Sequence, residues 1–81
     1  MARKLTAKEI AYYKNVGDLK PMGYNMDDKN DRKIALTAEG DVLNGNPIKN
    51  AKSFANARDY AVYRTVMYET ASRIERGIPL N

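Results

Sequence analysis

The last third of this 81-residue chain constrains its fold more than any other stretch. From about Ser53 to Arg76 there is neither Gly nor Pro, so nothing interrupts an α-helix. Gly77 and Pro79 end the run, and Arg73 and Arg76 place positive charge in its last turn, where it suits the helix dipole. Asn50 or Ser53 can cap its start. Tyr60, Tyr63, Met67, Ala71 and Ile74 recur at spacings of three and four, flanked by Val66 and Thr70. That stripe is the expected core-facing side. A second, weaker apolar line runs through Phe54, Ala57, Ala61 and Tyr68, at least about a quarter turn away. Two stripes are more than one short helix can cover, so the second belongs to the central segment or to a partner.

The N-terminal end carries its own helix signature. Thr6-Ala7-Lys8-Glu9 fits a capping box, and Leu5 and Ile10 have the spacing of a hydrophobic staple. Ile10, Tyr13 and Val16 then follow along one face, and Gly17 is a plausible stop. The pattern predicts a helix from about residue 7 to 16. Residues 18 to 31 read as irregular: Pro21 and Gly23 break regular structure, and Asn25, Asp27, Asp28, Asn30 and Asp31 favour turns.

Two readings compete for residues 32 to 48. Lys33-Ile34-Ala35-Leu36-Thr37 alternates polar and apolar, Glu39-Gly40-Asp41 suits a turn, and Val42 prefers a strand, which together favour a small β-hairpin. The other reading is a short helix capped by Asp31 and ended by Gly40, for which Ala35, Leu36, Ala38 and Glu39 have the propensity. The expected fold is therefore mainly α, with a small α+β variant possible. A short N-terminal helix, a central loop or hairpin and a long C-terminal amphipathic helix form one small domain over residues 1–81.

Such a chain has little core to work with. Leu, Ile, Val and Phe contribute 15 residues, supplemented by six Tyr and four Met. At this length a core alone rarely supplies more than roughly 3–5 kcal/mol, so stabilisation by a partner or by further copies is expected. No run approaches the length of a membrane span, and the basic start lacks the apolar stretch of a secretion signal. The expected location is the cytoplasm, with no membrane partner.

The absence of Cys and His removes thiol nucleophiles, zinc–thiolate sites, imidazole bases and most transition-metal chemistry. An EF-hand count from Asp28 places Arg32 and Lys33 inside the coordination sphere, which defeats the site. Gly40 and Gly45 have the spacing of a phosphate loop, but Asn46 and Pro47 stand where Lys and Ser/Thr are needed. Glu39 and Asp41 are paired acids near a turn, and nothing in the pattern places them in a cleft. The expectation is a protein without catalytic residues, metal, cofactor or small-molecule substrate.

Two binding classes remain. Fourteen Lys and Arg against ten Asp and Glu give a net charge of +4. Arg3, Lys4, Lys8, Lys14 and Lys20 concentrate positive charge in the first twenty residues, and Lys49 and Lys52 can join them as phosphate contacts. Neither a helix-turn-helix nor a ribbon-helix-helix order is present. Tyr is enriched at interfaces because it buries area while keeping a polar tip. Tyr60 and Tyr63 are assigned to the core. Tyr12, which cannot share a face with Tyr13, joins Phe54, Ala57, Ala61 and Tyr68 as a candidate protein interface. The leading expectation is an accessory, inhibitor or small structural protein, docking on a larger complex or on its own copies through the long helix. The runner-up is a nucleic-acid-associated protein that uses the basic N-terminal segment.

Overall fold

The first turn of an α-helix leaves backbone N–H groups without carbonyl partners, and in this chain short oxygen-bearing side chains take them. In the computed structural model, which describes residues 5–15 and 22–77, Thr6 opens α1 (Ala7–Lys14). Asp28 opens α2 (Lys29–Asn44) and Asn56 opens α3 (Ala57–Glu75). A 3-10 turn at Ala51–Ser53 lies between α2 and α3. No strand occurs among the described residues, so the chain is mainly helical with a long C-terminal helix.

The capping box at α1 is formed in both directions. The Glu9 N–H donates to Thr6 Oγ1 at 3.1 Å, and the Thr6 N–H donates to Glu9 Oε1 at 3.0 Å. Leu5 is buried just before the cap, and Ile10 packs partly buried against the same core. The helix ends at Lys14, earlier than the apolar spacing suggests, because Asn15 turns to an extended conformation. Val16 and Gly17 lie outside the described residues.

The favoured hairpin over residues 32 to 48 is not formed; α2 replaces it. The helical alternative is the right one, but longer at both ends than its expected cap and stop. Asp28, not Asp31, is the N-cap and accepts from the Asp31 N–H at 2.9 Å. Gly45, not Gly40, ends the helix, with φ of 70°, a left-handed conformation that Gly adopts without a Cβ penalty. Alternation over Lys33–Thr37 misleads because it is too short to compete with a longer period. Ile34, Ala35, Ala38, Asp41 and Val42 are all buried, at offsets of one, four, seven and eight from Ile34, which is one face of a helix. Burial of that face overrides the strand preference of Val42.

α3 starts later than Asn50 or Ser53 would place it. Asn50 caps the 3-10 turn instead, and Asn56 accepts from the Asp59 N–H at 2.8 Å to start α3. Phe54 therefore sits on an extended link and not on the long helix. Its ring turns inward, 4.8 Å from that of Tyr63 and 5.7 Å from that of Tyr60. α3 packs against both α1 and α2. Ala38, Val42, Val62, Tyr63, Met67 and Ala71 form the most deeply buried part of the core, and the predicted stripe on α3 is the one that faces it.

Gly40 and Gly45 should respond oppositely to the same change. A Cβ at Gly40 would meet nothing within 4 Å, so Gly40→Ala is expected to stabilise by about 0.5–1 kcal/mol through helix propensity. Gly45→Ala puts a side chain at positive φ and should cost about 1–2 kcal/mol. Urea denaturation of both variants measures the signs; two changes of the same sign would contradict these placements.

Candidate interaction surface

The buried polar groups come first, because they decide which side chains are left for a partner. Asp41 lies on the buried face of α2 near its C-terminal end. Its carboxylate accepts from the Tyr63 hydroxyl at 2.6 Å, from Lys49 Nζ at 2.8 Å and from Asn46 Nδ2 at 3.1 Å. Burial pushes the Asp41 carboxyl up, and these three donors more than offset it, so its pKa falls below the ordinary carboxylate value. The Tyr63 hydroxyl also accepts from the Lys49 N–H at 3.2 Å. Burial, reinforced by Asp41, pushes that phenol well above its usual range.

Two more tyrosines hold the same segment. The Tyr13 hydroxyl donates to the Asn46 carbonyl at 2.7 Å, and the Tyr12 hydroxyl accepts from the Ile48 N–H at 3.0 Å. Residues 46–49 are therefore tied to α1 and α3 by three phenols. Tyr24 repeats the pattern elsewhere: its hydroxyl donates to Glu69 Oε1 at 2.7 Å, and burial followed by the Glu69 carboxylate pushes its pKa to about 12.

At the other end of α2, Asp31 is buried and receives a two-pronged contact from Arg58. The Nη1–Oδ1 and Nη2–Oδ2 distances are 2.7 and 2.9 Å. The Asn25 N–H adds a third bond at 2.9 Å. The Arg58 guanidinium, with that N–H, holds the Asp31 carboxyl down to about 2. Asp59 accepts from Asn30 Nδ2 at 3.1 Å. Arg64 is buried on α3; its Nη2 donates to the Asn15 carbonyl, while its Nε has no hydrogen-bond partner among the described residues.

The expected phosphate contacts divide into two groups. Lys14 pairs with Glu75 at 2.7 Å and sits 5.9 Å from the Tyr68 ring centroid. Lys49 is engaged by Asp41. Lys8 and Lys52 are exposed and form no ion pair among the described residues. Arg3, Lys4 and Lys20 lie outside the described residues. The sequence pattern did not single out Lys29, Arg32 and Lys33, which are exposed along the first turns of α2.

The expected protein interface is also divided. Tyr12 is 48% exposed, and with Lys8, Asn46 and Pro47 it borders an open groove of about 440 Å³. Ala57 is exposed, and Ala61 and Tyr68 are half-buried. Phe54 packs on the aromatic core and leaves only a part-exposed edge. Two exposed apolar residues were missed: Met26, and Leu36 at 56% exposure. Leu36 is invisible as a surface residue while residues 32 to 48 are read as a hairpin. Once α2 is drawn as a helix, its position opposite the buried face follows from the spacing alone.

Among the described residues no group of three or more acidic side chains could hold a metal ion, and no helix is long and apolar enough to cross a membrane. Comparison with known protein families, curated proteins and solved structures gives no match to this chain.

Two predictions follow from the polar contacts. A carboxyl whose folded pKa lies below its unfolded value stabilises above the unfolded pKa, and that stabilisation is lost as pH falls through the folded one. For Asp31 the window runs from about pH 4, the ordinary Asp value, down to about 2. Arg58→Ala removes the cation and should move the acid-unfolding midpoint, followed by circular dichroism, to higher pH. Tyr63→Phe leaves the Asp41 carboxylate short of a donor and should cost about 1.5–3 kcal/mol; a loss below about 0.5 kcal/mol in urea would show that this bond contributes little.

Proposed function

We propose that this chain is a non-catalytic protein-interaction module, docking on another protein or on further copies of itself. It does so without a cofactor or small-molecule substrate, and its compartment is the cytoplasm. The observation that carries the reading is the division of labour among its side chains. Groups with chemical potential, Asp31, Asp41, Tyr63 and Arg58, are engaged with one another between helices. Large apolar side chains at Tyr12, Met26 and Leu36 are left exposed. Single exposed apolar residues are ordinary on a protein surface; on a chain with so thin a core that stabilisation by a partner is expected, three of them support use at an interface.

Nucleic-acid binding is the second reading. It draws support from Lys8, Lys29, Lys33 and Lys52, which are exposed and without a carboxylate partner among the described residues. It is weakened by the commitment of Lys14 and Lys49 to Glu75 and Asp41.

Salt titration separates the two. A fluorescent duplex and a fluorescent single strand are titrated with the protein between about 50 and 200 mM salt. The interaction-module reading expects no binding to either. Binding with a log–log salt slope of about −3, as three or four phosphate contacts would give, would replace it with the nucleic-acid reading.

A further inference from the structure

The segment ahead of α2 is tied to both long helices. The Met22 N–H donates to Thr65 Oγ1 at 3.2 Å and the Tyr24 hydroxyl to Glu69, both on α3, while the Asn25 N–H donates to Asp31 on α2. Beside this segment, Ala35 and Glu39 stand one turn apart on α2. On α3, Glu69, Thr70 and Arg73 follow Val66 at offsets of three, four and seven, which places them on one side of the helix. With Tyr24 and Met26 these residues line a cleft of about 240 Å³. That is less than the roughly 300–1,000 Å³ of small-molecule sites, and it suits a single side chain.

Its polar groups are only partly used by the fold. Glu69 gives one oxygen, Oε1, to the Tyr24 hydroxyl at 2.7 Å. Half-buried Glu39 and exposed Arg73 make no hydrogen bond or ion pair among the described residues. Burial and the Glu69 bond raise the Tyr24 phenol; Arg73 opposes that rise and Glu39 adds to it, so all three charges lie around one hydroxyl. Thr70 is an independent observation. It is 3% exposed, yet its hydroxyl makes no hydrogen bond among the described residues, unlike that of Thr37, which donates to the Lys33 carbonyl one turn back. Among the described residues, the buried side-chain atom sealed from solvent without a partner is Arg64 Nε. Thr70 Oγ1 therefore reaches solvent, and the cleft that Thr70 lines is its opening.

We infer that this cleft receives a lysine side chain projecting from another protein. This rests on the interaction-module reading and names the chemistry its partner presents. An ammonium has three N–H donors and no acceptor; Glu39, the second oxygen of Glu69 and the Thr70 hydroxyl are three acceptors left open to it. The four-carbon stem has Ala35, Val66 and Met26 to lie along, as long charged side chains lay their stems on apolar surface. Two carboxylates against one guanidinium leave the lining net negative, which favours a cation. Arg73 has donors for a main-chain carbonyl of the segment that carries the lysine. At the Met26 end, Arg32 donates to the Met26 carbonyl at 2.9 Å, and Lys29, Asp27 and Asp28 are exposed nearby in sequence, so these four charges cancel.

Titration of the isotope-labelled protein with N-acetyl-lysine methylamide at about 50 mM salt, followed by backbone amide chemical shifts, tests this. Saturable shifts should gather at Tyr24, Glu39, Glu69 and Thr70, with a Kd of about 1–20 mM. The norleucine analogue keeps the stem and lacks the ammonium, and should bind at least about tenfold more weakly. Glu39→Gln should weaken lysine binding about tenfold, and Thr70→Val about threefold or more. Thr70→Val should leave the urea midpoint unchanged or raised, because the hydroxyl has no partner in the fold. No saturable shift up to about 100 mM overturns the lysine site. Equal binding of the norleucine analogue does so too, as does binding indifferent to both Glu39→Gln and Thr70→Val. A Thr70→Val protein that loses stability overturns the assignment of that hydroxyl to a ligand. Failure of lysine to bind leaves docking through other surfaces intact; salt-dependent oligonucleotide binding is the result that removes that wider reading.

Discussion

The Asp41 carboxylate is the point on which the arrangement of the helices depends. It sits on the buried side of α2, where an uncompensated charge would be strongly destabilising. Its donors come from three different places: Tyr63 on α3, Lys49 on the link and Asn46 just past the end of α2. To satisfy this one carboxylate, the link must run close to α3 and α2 must stop in time to turn back. Gly45 at φ of 70° makes that stop possible. Tyr13 then reaches the Asn46 carbonyl, so α1 is referenced to the same point. A small core held in this way is specified by polar geometry as much as by apolar area.

α2 is consequently fastened to α3 at both ends by polar contacts and along its middle by apolar ones. Asp31 and Arg58 join the N-terminal ends, and Asp41 and Tyr63 join the other side. Between them Ala35 and Ala38 let the helices approach closely, while Val42, Val62 and Met67 fill the space. This also accounts for the high tyrosine content. Tyr12, Tyr13, Tyr24 and Tyr63 each combine ring packing or covering with a hydroxyl bond to a backbone group or carboxylate. In a chain poor in Leu and Phe, tyrosine supplies bulk and direction together.

The elements that were legible in the sequence are those whose signals are local. The Thr6–Glu9 box needs only four residues to recognise, and the stripe from Tyr60 to Ile74 spans enough turns for its period to be unambiguous. The central helix was legible only as the second of two readings, because its decisive residues read as polar turn formers. Asp31 and Asp41 look like solvent-facing residues until Arg58, Lys49 and Tyr63 are brought to them, from 27, 8 and 22 residues away in sequence. The same distance problem hid the engagement of Lys14 by Glu75 and of Lys49 by Asp41, which made both look available to phosphate. Phe54 fits the helical spacing of the second stripe by coincidence; the extended link places its ring in the core instead.

The outer face of α2 shows the converse. Its inner side packs against α3 and holds Asp31 and Asp41 in their hydrogen bonds, so substitutions there disturb the core. The outer side carries fewer constraints, the bond from Arg32 Nε to the Met26 carbonyl at 2.9 Å being one, and folding alone would favour helix-forming residues there. Lys29, Arg32 and Lys33 satisfy that expectation at the first turns. Leu36 leaves 56% of its surface exposed, and Gly40 weakens the helix although a Cβ there would meet nothing within 4 Å. An exposed Leu and a mid-helix Gly, one turn apart on one face, cost the chain helix propensity and add nothing to its buried core.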